Sequence, residues 1–209
     1  MKKIEQLIGT YPELKPCAAD IQAAFEILRD CYWSGGKVLV CGNGGSAADT
    51  EHIVGELMKG YLLKRSIPED LRARLVSAHR ENGAYLASAL QGALPAISLV
   101  SQTSLLSAIG NDTDADMGFA QQVYGYGREG DVLLGISTSG NARNVVYAVQ
   151  VSRTLGMHTC TLTGPAGGVL KTISDVCIRV PGKSTPAIQE RHLPVYHVLC
   201  AMLEEEFFA

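Results

Sequence analysis

Five short apolar runs constrain this chain more than any other feature: residues 37–41, 96–100, 131–137, 158–163 and 175–180. They are too short for helices, and the first, Val38-Leu39-Val40-Cys41 at its centre, reads as a strand buried on both faces. Helical stretches separate them at 46–60, 102–109, 118–127, 141–155 and 166–173. Strands alternating with helices predict an α/β fold: a five-stranded parallel sheet flanked by helices, doubly wound and flavodoxin-like. In such a sheet, ligands bind beyond the carboxyl ends of the strands. Ile21, Phe25, Leu28 and Tyr32 place an amphipathic helix over 17–33, and a long helix is expected over about 186–207. The charged connection 62–94 is too long for a structureless loop and predicts one or two extra helices. We therefore expect one domain over 1–209, with an N-terminal helical region at 1–34 and an extended helical insertion at 62–94.

The bulk chemistry narrows the function. With 19% charged residues and a net charge of −3, the chain carries no electrostatic footprint for nucleic acid. No apolar run reaches the ~20 residues of a membrane span, and Gln6, Gly9 and Glu13 interrupt any signal-peptide core. The acidic run Glu204-Glu205-Glu206 reads as a solvated helix end. The six cysteines show no Cys-x-x-Cys spacing and read as buried apolar residues of a reducing cytoplasm. These features predict a cytoplasmic protein without a nucleic-acid or membrane partner.

Two loops carry the chemistry. Asn43, Gly44, Gly45 and Ser46 follow the first strand and open a helix, an arrangement that turns backbone N–H groups and a helix dipole toward an anion. Ser137, Thr138 and Ser139, followed by Gly140-Asn141, repeat the pattern after the third strand. Alone, Ser-x-Ser-Gly is more often an ordinary cap and turn. Two such cradles in one sheet favour a phosphate. The glycine loop also meets a loose dinucleotide fingerprint, but the acidic residue such a site needs about 20 residues on is replaced by the basic Lys64-Arg65.

His52 and Glu56 lie four residues apart, placing an imidazole and a carboxylate about 6 Å apart on one helix face. Such a pair is usually plain helix surface. The C-terminal segment adds Gln189, His192 and His197, with Gln189 and His197 about 12 Å apart on a straight helix and Pro194 between them. Asn111 and Asp112 follow the second strand and its helix; they suit sugar hydroxyls and equally suit a turn.

Together these motifs resemble the sugar isomerase (SIS) domain family, and within it the phosphoheptose isomerases. The matching pieces are Cys41 to Ser46, His52-x-x-x-Glu56, Asn111-Asp112, Gly130 to Asn141, Leu162-Thr-Gly164, and Ile188-Gln-Glu190 with His197. The resemblance implies a homotetramer with active sites near subunit interfaces and one zinc ion per subunit held by His52, Glu56, Gln189 and His197. It implies substrate contacts from Asn43, Gly44, Gly45, Ser46, Glu56, Asn111, Asp112, Ser137, Thr138, Ser139 and Gln189. The implied reaction converts sedoheptulose 7-phosphate to D-glycero-D-manno-heptose 7-phosphate through an enediolate, with Glu56 as base and His197 as acid. Departures from the family pattern are Ala187, Ala142, Pro194 and the length of the 62–94 connection. The alternatives are action on another sugar phosphate, or a non-catalytic SIS protein that binds the replication initiator. The latter class typically lacks the Glu/His pair present here.

Overall fold

The computed structural model describes residues 2–209. Five strands, β1 (Val38–Gly42), β2 (Ala96–Ser98), β3 (Val132–Ser137), β4 (His158–Thr163) and β5 (Val176–Arg179), form one all-parallel sheet in the order β2-β1-β3-β4-β5. This is the flavodoxin-like order, and the winding reverses between β1 and β3. Every residue of β1 and β3 is buried, as the apolar runs require.

The period of two along a strand divides the core into two layers. Val38 and Val40 of β1, with Val132 and Leu134 of β3, face a layer built from α1 (Lys2–Thr10), α2 (Ala18–Trp33), α3 (Gly45–Met58) and α10 (Thr185–Phe208). Leu39, Cys41 and Leu133 face the opposite layer, which holds α7 (Gly118–Tyr126), α8 (Arg143–Thr154) and α9 (Leu170–Ile173). The remaining helices are α4 (Glu69–Ala78), α5 (Gly83–Ala89) and α6 (Thr103–Asp112). All six cysteines are free thiols, and no helix among the described residues is long and apolar enough to cross a membrane.

Three expectations change. α9 is confined to Leu170–Ile173 instead of 166–173, because Gly167 and Gly168 both take positive φ and hold the preceding chain out of a helix. Asn111 and Asp112 are the last two residues of α6 rather than a loop beyond it. Glu204 is not part of a solvated helix end; it is 1% exposed and paired with the equally buried Arg65.

α10 runs through Pro194 as one helix and lies beside α3 in the same direction. Gln189 meets Gly45, Tyr196 meets Asp49 and His52, and Glu204 meets the chain just beyond α3. This parallel pairing assembles the site.

Candidate active site

The sheet register sets the first half of the site. Gly42 at the end of β1 pairs with Ile136 in β3, so the loops 43–46 and 137–141 leave neighbouring strands at the same edge. Gly44 has φ 57°, a backbone that side-chain-bearing residues rarely adopt, and it turns the chain directly into α3. The glycine loop is tied to the first turn of α8 by a reciprocal amide pair. Asn43 Nδ2 donates to Asn144 Oδ1 and Asn144 Nδ2 donates to Asn43 Oδ1, both at 2.9 Å. In the second loop Ser139 Oγ accepts from Asn141 N at 3.1 Å, and Ser137 Oγ lies 3.5 Å from Ser139 Oγ. Asn43, Gly44, Gly45, Ser46, Ser137, Thr138, Ser139 and Gln189 line one cavity of about 350 Å³, with Thr185 at the start of α10. Gln189 closes on the glycine loop: a Cβ at Gly45 would lie 2.5 Å from its Nε2.

The second half lies farther along both helices. His52 Nε2 is 3.3 Å from Glu56 Oε1 and 3.4 Å from His197 Nε2. Tyr61 stacks on the His197 ring with centroids 5.4 Å apart. Burial and the neighbouring His52 push the His197 imidazole below its ordinary value, with Glu56 opposing them, which favours the neutral ring. Its Nε2 can then ligate a cation or donate a proton, according to tautomer. Glu56 Oε2 is buried without a hydrogen-bond partner, and the nearest cation, Lys59 Nζ, stands 3.8 Å away.

Those features test the implied metal. Two imidazole nitrogens and a carboxylate are zinc-type donors, and spacings of 3.3 and 3.4 Å equal the edge of a tetrahedron with bonds of about 2.0–2.1 Å. An orphaned carboxylate oxygen fits a cation as well. Yet among the described residues no three His, Cys, Asp or Glu side chains are already grouped to hold an ion. The donor set fits, and closing it takes side-chain movement. Gln189 is drawn to the glycine loop, so joining His52, Glu56 and His197 would require it to swing away from Gly45.

Asn111 and Asp112 are not brought into either half. Both are exposed, Asn111 Nδ2 donates to Asp112 Oδ1 at 2.8 Å, and neither lines the cavity between the loops. Sequence reasoning missed Asp49, Tyr196, Tyr61 and Asn144. Asp49 stands one turn before His52, and Tyr196 directly precedes His197, so proximity was the available signal.

Comparisons with known proteins establish the family. The family model described as "SIS domain" matches residues 10–89 and 80–164. A phosphoheptose isomerase of Akkermansia muciniphila is 37% identical over 206 residues, covering 97% of this chain and 95% of the relative. One from Rhodospirillum rubrum is 39% identical over 192 residues, 92% of this chain and 88% of the relative. Among solved structures, the phosphoheptose isomerase of Francisella tularensis superposes with a TM-score of 0.75 at 30% identity, covering 96% of this chain and 94% of that one. That of Neisseria gonorrhoeae gives 0.70 at 33% identity, covering 95% and 98%. Matches over more than nine tenths of the chain show that it belongs to the SIS domain family, among the phosphoheptose isomerases.

Proposed function

We propose that this chain is a phosphosugar isomerase that converts sedoheptulose 7-phosphate to D-glycero-D-manno-heptose 7-phosphate. The observation that carries the reading is the division of labour along α3 and α10. Their N-terminal ends frame the loops, and His52, Glu56 and His197 stand farther along the same two helices. The axial step from Gly45 to His52 is about 10 Å, a span suited to a sugar chain of several carbons with its phosphate at one end. Backbone N–H groups and hydroxyls of Ser46, Ser137, Thr138 and Ser139 hold the phosphate. Gln189 reaches the hydroxyls of the chain, and Asn111 and Asp112 join them only if α6 moves toward the cavity.

At the other end, the Glu56 carboxylate takes a proton from C1 of the ketose. The C1–H electrons form the C1–C2 double bond, and the C2 carbonyl oxygen takes a proton from His197 Nε2, giving the enediol. Return of a proton to C2, with loss of the O1 proton, leaves the aldose. His52, Glu56 and His197 are the residues that would hold a zinc ion, with Gln189 as the fourth ligand; while His197 Nε2 held the ion it would have no proton to give, so its role as acid belongs to the ring released from the ion. Such an ion supplies polarisation of the substrate carbonyl. His52 has 44% of its side chain exposed, whereas an enediolate needs protection from water. A homotetramer with sites near subunit interfaces supplies that cover. We read the whole chain as one SIS domain acting in the cytoplasm.

The test is direct. Protein incubated with sedoheptulose 7-phosphate in deuterated water should give aldose phosphate carrying deuterium at C2, with about one metal per chain by elemental analysis. Binding of the sugar phosphate without conversion would overturn the isomerase reading.

A further inference from the structure

Tyr196 is 1% exposed, yet its hydroxyl reaches two polar atoms, both on α3: Asp49 Oδ1 at 3.2 Å and His52 Nδ1 at 3.0 Å. Asp49 and His52 are one turn apart, and the phenol enters between them while its ring packs edge-on to His52, centroids 5.6 Å apart. A tyrosine hydroxyl has one proton to donate, and a carboxylate only accepts. The proton therefore goes to Asp49. The phenol oxygen is left to accept, and the remaining donor beside it is N–H at His52 Nδ1. The opposite arrangement, with the phenol donating to His52 Nδ1, would set two acceptor oxygens 3.2 Å apart with no proton between them.

We propose that Asp49 and Tyr196 are positioning residues that fix His52 as its Nδ1–H tautomer and so aim a bare Nε2 lone pair at His197; Glu56 Oε1, 3.3 Å from Nε2, lies off that line and makes no hydrogen bond with it. The chain Asp49–Tyr196–His52 orients the imidazole as an outer-shell partner orients a metal-binding histidine. Without a cation, His197 Nε2–H can donate to the bare nitrogen across the 3.4 Å gap. With a cation, the same lone pair is already directed at it. Neither residue touches the loop cavity, so the phosphate end is independent of them. The bearing of this tautomer on metal binding rests on the function proposed above; the tautomer itself does not.

The experiment uses the full chain labelled with 15N-histidine and dialysed against a chelator, so that the protein alone sets the tautomer. Long-range proton–nitrogen correlation at neutral pH should show His52 Nδ1 as the protonated, pyrrole-type nitrogen and Nε2 as the pyridine-type one. Asp49→Asn puts an amide donor beside the phenol and frees its proton for His52, so the two nitrogens should exchange character. Tyr196→Phe keeps the ring and should give a mixture. An Nε2–H tautomer in the wild type would overturn the proposal. So would an unchanged tautomer in folded Asp49→Asn, or in Tyr196→Phe if the first variant does not fold. Zinc titration separates the two readings: affinity should fall about 10- to 100-fold in both variants. A tautomer that switches while zinc affinity stays constant upholds this proposal and counts against the metal role of His52.

Discussion

Replacing Glu204 with alanine tests how α3 and α10 are locked together behind the site. Glu204 Oε1 accepts from Tyr61 N at 2.7 Å and Arg65 Nε at 2.8 Å; Oε2 accepts from Leu62 N at 2.7 Å and Leu63 N at 3.0 Å. Arg65 then donates to the carbonyls of Leu57 at 2.7 Å and Glu56 at 2.9 Å. Those two carbonyls lie in the last turn of α3, where helix oxygens lack intrahelical partners and the dipole favours a cation. One buried pair thus caps the helix that carries Glu56 and ties it to the helix that carries His197. Burial pushes the Glu204 carboxyl up, but the Tyr61 and Leu62 N–H donors and Arg65 outweigh it and leave it below its ordinary value.

Removing one partner of a buried pair typically costs about 3–5 kcal/mol because the other charge is stranded. Three N–H groups lose their acceptor as well, at about 1–3 kcal/mol each if they stay dry. Leu62 and Leu63 are 60% and 38% exposed, so water recovers much of that. We expect Glu204→Ala to lose about 4–6 kcal/mol, a large share of the 5–15 kcal/mol typical of a domain. Urea unfolding followed by circular dichroism at fixed protein concentration reads this as a lowered midpoint with an unchanged slope. The double variant Arg65→Met, Glu204→Leu removes both charges, yet still strands three N–H groups and two carbonyls. It should recover only part of the loss. A loss under about 1 kcal/mol in Glu204→Ala would refute the reasoning.

Two further outcomes follow from the site and the core. Glu56→Gln keeps shape and removes the base, so kcat should fall by about 10²–10⁴ while sugar-phosphate binding, measured by calorimetry, changes little; turnover at the wild-type rate would dismiss Glu56 as the base. His192 is fully buried with neither ring nitrogen hydrogen-bonded, and burial lowers it to about 4, the nearby Thr163 backbone offsetting part of this. Its unfolded value is about 6.5, so above that pH both states are neutral and it adds no pH dependence. Between pH 6.5 and 4 the unfolded chain alone takes the proton, and stability should fall by up to about 3 kcal/mol. His192→Leu should abolish that part of the acid slope; an unaltered slope would show that His192 does not cause it.

The strands were readable because a parallel sheet covered on both faces demands unbroken apolar runs, and β1 and β3 meet that demand at every position. The 96–100 run overstated β2: pairing with β1 covers Ala96, Ile97 and Ser98, after which Leu99 N donates to Val40 O as the chain turns away. Composition did not show where Gly167 and Gly168 delay α9, since positive φ is a property of the turn.

The site divides by the same logic. His52 and Glu56 share a helix face, and any helix brings such a pair together. Meeting His197 depends on α3 and α10 packing side by side, which no local spacing encodes. Charge misled for a related reason. Glu204 sits in a run of three glutamates and Arg65 follows a lysine, so both read as solvent-facing until the fold joins them. Tyr196 poses the reverse problem, a core aromatic by pattern whose hydroxyl alone has a role. In each case the decisive partner lies more than 130 residues away in sequence, at separations of 139 for Arg65 with Glu204, 144 for His52 with Tyr196 and 145 for His52 with His197. All three contacts bind α10 to α3 or to the chain just after it. The placement of α10 is therefore the step that converts a legible set of motifs into a site, and variants that disturb its docking should impair the His52–Glu56–His197 cluster before they disturb the sheet.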